Sequence, residues 1–208
     1  MSLTKISNQS LSSISSLPAT LATGALTLIN TTTISAGTSS VSFTSGIDST
    51  YNSYIFKFIN IHPSRNDDDF AINFSTDGGS NYNVTKTTSL FRAYHFENDS
   101  AAVLQYQSAQ DLSQSTAHQQ LTDNLGNGAD ESMSGTLQLF NPSSTTFVKH
   151  FISRTSGYYE GDANFDYYIA GYANTTSAIN AVQFQMQDDS NNARGDLDDG
   201  IIKLYGVG

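Results

Sequence analysis

The chain contains no cysteine and no tryptophan, and only three prolines and three glutamates. Without cysteine there is no disulfide framework, no thiol nucleophile and no thiolate-held zinc, so packing, backbone pairing or partner subunits must hold the fold. Charge is scarce too: 13% of residues are charged, and 9 basic against 19 acidic residues give a net charge of −10. That sign disfavours non-specific attraction to nucleic acid or anionic lipid, and neither is expected as a partner. No apolar run approaches transmembrane length. In the first 25 residues, Ser-rich text after Lys5 interrupts any apolar core a secretory signal would need.

Ser, Thr and Asn are abundant, 69 of 208 residues together. They compete with helical hydrogen bonds, while Thr suits strands and Asn and Ser suit turns, so a helical protein or coiled coil is disfavoured. Twelve Phe and eleven Tyr supply large surfaces to bury, which argues against disorder and for one domain with a single core.

Residues 1–30 carry no aromatic side chain and only one charge, and read as an extended Ser/Thr-rich arm. Leu11, Ile14, Leu17, Leu21 and Leu28 are its anchoring candidates; Pro18 and Gly24 break any helical stripe through them. Residues 31–208 read as strand, turn, strand. Tyr54, Phe56 and Phe58 share one face while Lys57 sits between Ile55 and Ile59 on the other, which predicts a central strand. Asp77-Gly-Gly after Phe70–Phe74 supplies the positive backbone angles of a tight hairpin. Val182, Phe184 and Met186 alternate with glutamines as a half-buried strand does. The stretch from Gln107 to Glu131 is expected to hold a short helix or a projecting loop. Together these signals predict an all-β antiparallel sandwich or jelly roll of about 8–10 strands behind an N-terminal arm.

Calcium needs several oxygens converging on a turn, and Asp188, Asp189, Asp196, Asp198 and Asp199 precede the last strand without EF-hand spacing. A solvated acidic loop is the default for them, and for Asp67, Asp68 and Asp69, with Arg65 as partial counter-charge. His62, His95, His118 and His150 are isolated, and no nucleophile elbow or phosphate loop occurs. Glu97, Glu131, Glu160 or Asp166 could nominally form a glycosidase pair, but nothing in their context marks them. Hence no catalytic residues, no enzyme activity and no cofactor are expected. Tyr158, Tyr159 and Tyr167, with Asp162 and Asp166 nearby, could stack on sugars or build a subunit interface, or simply pack the core.

Several phrases resemble the small Ser/Thr-rich virion structural proteins of tailed bacteriophages of marine bacteria. They are Phe43-Thr-Ser-Gly-Ile-Asp-Ser-Thr-Tyr51, Tyr54-Ile-Phe-Lys-Phe-Ile-Asn-Ile-His-Pro63, Phe91-Arg-Ala-Tyr-His95, Leu139-Phe-Asn-Pro-Ser-Ser-Thr-Thr-Phe-Val-Lys-His-Phe-Ile152 and the ending Ile201-Ile-Lys-Leu-Tyr-Gly-Val-Gly208. The resemblance implies a non-enzymatic part of the particle made in the host bacterial cytoplasm. The expected function is an outer capsid decoration, or cement, protein: a homotrimer bound to the major capsid protein through its arm. The stretch from Lys5 to Pro18 also looks like the attachment end of some tail fibres, so the alternative is a tail fibre or tail-tip module that binds host glycan.

Overall fold

The computed structural model describes residues 26–188, 190 and 192–208. Twelve strands form two antiparallel sheets that pack face to face, and there is no helix among the described residues. In chain order they are β1 (Leu26–Ile34), β2 (Ser40–Phe43), β3 (Ser53–Pro63), β4 (Asp69–Ser75), β5 (Lys86–Phe96), β6 (Ala102–Tyr106), β7 (Gln119–Gln120), β8 (Met133–Phe140), β9 (Lys149–Tyr159), β10 (Ala163–Ala173), β11 (Ala181–Gln187) and β12 (Leu197–Val207). The larger sheet has the order β1-β12-β3-β8-β9-β10-β5-β6, and the smaller β2-β11-β4-β7. The all-β sandwich is therefore as expected, with twelve strands against the eight to ten anticipated.

Aromatic rings from both sheets fill the space between them. Phe184 of β11 meets Phe56 and Phe58 of β3 edge-on, with centroids 5.2 Å apart in each pair, and Phe74 of β4 meets Phe151 of β9 at the same distance. Alternation makes this possible: along β9, Phe151, Ser153 and Thr155 are buried while His150, Ile152, Arg154 and Ser156 are exposed. β3 lies between β12 and β8, inside the sheet as its apolar pattern predicted, with Tyr54, Phe56 and Phe58 turned to the core.

Three local expectations are corrected. The segment from Leu26 to Asn30, assigned to the arm, belongs to β1, which pairs with β12 from Leu26↔Val207 onward. The β-branched run Thr31–Thr33 simply extends backwards, because the β12 edge offers it backbone partners. Leu28 is thus a strand residue, whereas Leu11, Ile14, Leu17 and Leu21 lie outside the described residues.

Asp77-Gly-Gly does adopt the positive angles, with φ of 73° at Gly78 and 92° at Gly79, yet it closes no hairpin. It carries the chain from β4 in one sheet to β5 in the other. Side chains set this turn: Ser75 Oγ donates to Asp77 Oδ1 (2.6 Å), and the Asn81 N–H donates to the same oxygen (2.9 Å). Those bonds hold the Asp77 carboxyl at about 2.

Residues 107–131 form neither a helix nor a projection. Leu112, Gln119, Gln120, Leu121 and Leu125 are buried, and β7 pairs with β4. Their amides are spent internally, Thr88 Oγ1 donating to Gln119 Oε1 (2.6 Å) and Gln120 donating to Asp69, so a polar sequence is buried.

Candidate functional site

The outer face of the larger sheet has no covering layer among the described residues, and its composition is unusual for a solvated face. Because opposite residues of antiparallel strands share a side, the register defines rows across it. One row runs Leu28, Tyr205, Ile55, Gln138, Ile152, Ala170, Ser89. The adjacent row runs Thr31, Lys203, Lys57, Thr136, Arg154, Tyr168, Phe91, Tyr106, crossing all eight strands.

Leu28 (52%), Ile152 (54%), Tyr106 (55%) and Leu104 (71%) are exposed on this face, and Ile59 and Phe91 join them. An alternating strand would normally place polar groups there. Three of the nine basic residues also share one row of this acidic chain. Lys57 lies over the Tyr205 ring (5.2 Å) and Arg154 over Tyr168 (4.8 Å), while Phe91 stacks on Tyr168 at 4.8 Å. Arg154 is steadied by two bonds to Asp166, of 3.0 and 2.6 Å.

At one end of the same face the row Tyr158, Asn164, His95 forms the floor of an open cleft of about 670 Å³. Glu97, Asp99, Asp130 and Ser132 complete its walls. Tyr158 donates to Asp162 Oδ1 (3.0 Å), which pushes its hydroxyl up to about 12, and His95 Nε2 lies 3.0 Å from Asp99 Oδ1. One half-buried aromatic ring amid carboxylates, an amide and an imidazole offers stacking plus acceptors, a chemistry suited to a polyhydroxylated ligand.

Of the three tyrosines expected to act together, Tyr159 and Tyr167 line one small interior cavity of about 110 Å³, and Tyr158 stands apart from them on the outer face. Tyr158 reaches the cleft, Tyr159 packs against the core, and Tyr167 is fully buried, its hydroxyl accepting from Arg92 Nη1 at 2.9 Å. Tyr167 is therefore no glycan contact: strand alternation turns it inward when Tyr168 faces out. Burial raises its hydroxyl, and Arg92 in turn pairs with Asp123.

The acidic stretch does not precede the last strand as expected, because Asp198 and Asp199 belong to β12 itself, and it assembles no cation site among the described residues, where no group of three or more His, Asp or Glu converges. Asp188 Oδ1 accepts from the backbone N–H groups of Ser190 and Asn192, both 2.9 Å, which lowers its pKa. Asp198 accepts from the Gly37 N–H (3.3 Å), Asp199 from the Gly200 N–H (2.6 Å), and the Asp196 N–H donates to Ser64. Each makes its own local hydrogen bond, and Asp189 lies outside the described residues. In the Asp67–Asp69 run the direct ion-pair partner is Arg194, 3.3 Å from buried Asp68 and 3.6 Å from Asp67, and Arg65 adds its charge to Asp68 as the partial counter-charge expected of it.

The nominal acid pairs are likewise scattered. Glu131 accepts from the Gly128 N–H (2.6 Å), Glu160 from Asn66 Nδ2 (2.7 Å), and Asp166 holds Arg154; Glu97 alone lines the cleft. Sequence reasoning missed the outer-face rows, whose only signal was the second apolar face of β3, and it missed the buried lysines Lys86 and Lys149, which no pattern distinguishes from surface ones. No family model matches the chain, and neither a curated protein nor a solved structure matches it.

Proposed function

We propose that the protein is a non-enzymatic virion structural protein that decorates and stabilises an assembled bacteriophage head. The observation that carries this reading is the uncovered outer face of the eight-stranded sheet. It exposes Leu28, Ile59, Phe91, Leu104, Tyr106 and Ile152 around a row of Lys203, Lys57 and Arg154. A face that exposes aliphatic side chains, aromatic rings and arginine has the composition of a protein interface. On this reading the face meets the major capsid protein or sibling subunits of a trimer, and the N-terminal arm adds a second attachment. Many weak copies then act together through multivalency.

Localising the protein on intact particles by immunogold labelling tests the reading. Label over the whole head supports decoration, and label absent from the head overturns it. The cleft at Tyr158 favours a second reading, a tail module that binds host glycan. Label confined to the tail, together with binding of the isolated protein to host cells, would install it.

A further inference from the structure

We propose that Lys86 and Asn73 react to form a side-chain amide that covalently joins β5 of the larger sheet to β4 of the smaller one. Both residues are completely buried, and Lys86 Nζ lies 2.6 Å from Asn73 Oδ1. Its other partner among the described residues is the Val84 carbonyl at 2.8 Å, so two uncharged oxygens receive this amine. An ammonium in that setting is costly. Burial accordingly pulls the amine down to about 7, where the neutral, nucleophilic form is well populated.

The asparagine is held as an acceptor of attack. Its Oδ1 also accepts from the Phe74 N–H at 2.9 Å, a fixed donor at the atom where negative charge would develop. Its Nδ2 donates to the carbonyls of Tyr82 (2.7 Å) and Thr116 (3.0 Å), and His118 Nδ1 lies 3.5 Å away. His118 Nε2 faces Gln183 Oε1 at 3.4 Å, which favours the tautomer with its proton on Nε2 and a lone pair on Nδ1. Desolvation holds this imidazole at about 4, so it is neutral and able to accept a proton.

The step balances without any oxidant or co-reactant. The Nζ lone pair forms a bond to Cγ of Asn73, and the tetrahedral oxyanion collapses with cleavage of the Cγ–Nδ2 bond. One proton passes from Nζ through His118 Nδ1 to Nδ2, and ammonia leaves. A buried ionisable amine is replaced by a neutral amide, and the two sheets gain a covalent tie in a chain that has no cysteine.

Intact mass and a tryptic digest of the full chain test this. The expected protein is lighter by one ammonia, Lys86 resists trypsin, and the 66–92 peptide carries the deficit without fragment ions between Asn73 and Lys86. An unshifted mass overturns the proposal, as does a deficit in which Lys86 is still cleaved, because that is a succinimide at Asn73. K86R and N73A should each restore the full mass; should either fail to fold, the wild-type peptide decides alone. H118A should form the link on the order of a hundredfold more slowly, and an unchanged rate would remove His118 from the proton path.

Discussion

Phe70 and Phe184 lie parallel on neighbouring strands of the smaller sheet, with ring centroids 5.5 Å apart and planes 11° from coplanar. Phe184 also meets Phe43, Phe56 and Phe58 edge-on, so one side chain joins β2, β3 and β4 to β11. Truncation there opens a cavity that rigid neighbours cannot collapse. Phe184→Ala should cost about 3–5 kcal/mol. Urea denaturation would register this as a lower midpoint with an unchanged slope.

Substitution on the outer face should do the opposite. Ile152→Glu combined with Leu104→Glu places charge on exposed positions, 54% and 71% accessible, so the unfolding free energy should move by only about 0.5 kcal/mol per site. Association should fail nonetheless. Occupancy on purified particles and hydrodynamic size together would check this, and full occupancy by the double variant would count against the face as the binding surface.

Two neighbouring tyrosines should separate recognition from stability. Tyr167→Ala removes a buried ring and leaves Arg92 short of a partner, and should cost about 3–5 kcal/mol by analogy with other buried aromatics. Tyr158→Ala should leave the denaturation midpoint nearly unchanged while reducing any retention on host-cell glycan. Thermal unfolding and cell-binding assays on both variants would show whether the roles divide this way.

Opposite pH responses are built into one molecule. Burial pushes Asp68 up to about 6 from 3.8, so the folded state holds an extra proton in that window, and the stability Asp68 contributes is full below about pH 4 and lost as pH rises through 6. His118 is held down at about 4 from 6.5, so its contribution is present above about pH 6.5 and lost as pH falls through 4. Relative to the parent protein, Asp68→Asn should therefore gain stability as pH rises from 4 to 6, and His118→Gln should lose it. Each difference should reach about 1–3 kcal/mol. Denaturation midpoints across that range would reveal slopes of the same sign if this assignment is wrong.

Gly135 of β8 faces β9 with no room for a side chain. A Cβ there would sit 2.5 Å from the Arg154 carbonyl oxygen and 2.8 Å from Thr155 Cα, both backbone atoms that cannot step aside alone. Gly135→Ala should destabilise by about 1–3 kcal/mol, measurable as a fall in thermal midpoint without loss of strand content by circular dichroism.

Much of this architecture could be read in advance because strand signals are local. Leu137–Leu139 and Val182–Met186 announce themselves through period-two alternation and Tyr54–Ile61 through a β-branched and aromatic run apolar on both faces, and each is a strand. Partnership between strands is not local, and there the reading failed: Asp77-Gly-Gly has hairpin chemistry, but the chain it delivers pairs with β10 and β6 rather than with β4. Tyr167 illustrates a similar limit, since a one-residue shift along β10 exchanges the buried Tyr167 for the outward-facing, half-buried Tyr168. The Lys86–Asn73 approach was invisible for a different reason. It depends on a loop returning around the sheet edge, and thirteen residues of sequence separation carry no trace of a 2.6 Å distance.

The alternation along β9 has an implication for how such a protein can diversify. Every outward residue from His150 to Ser156 is flanked by inward ones that serve only the core. A lineage can therefore rewrite the outward positions one at a time, following a changing partner surface, without disturbing the residues that make the chain fold. Recognition and foldability are inherited on interleaved letters of the same strand.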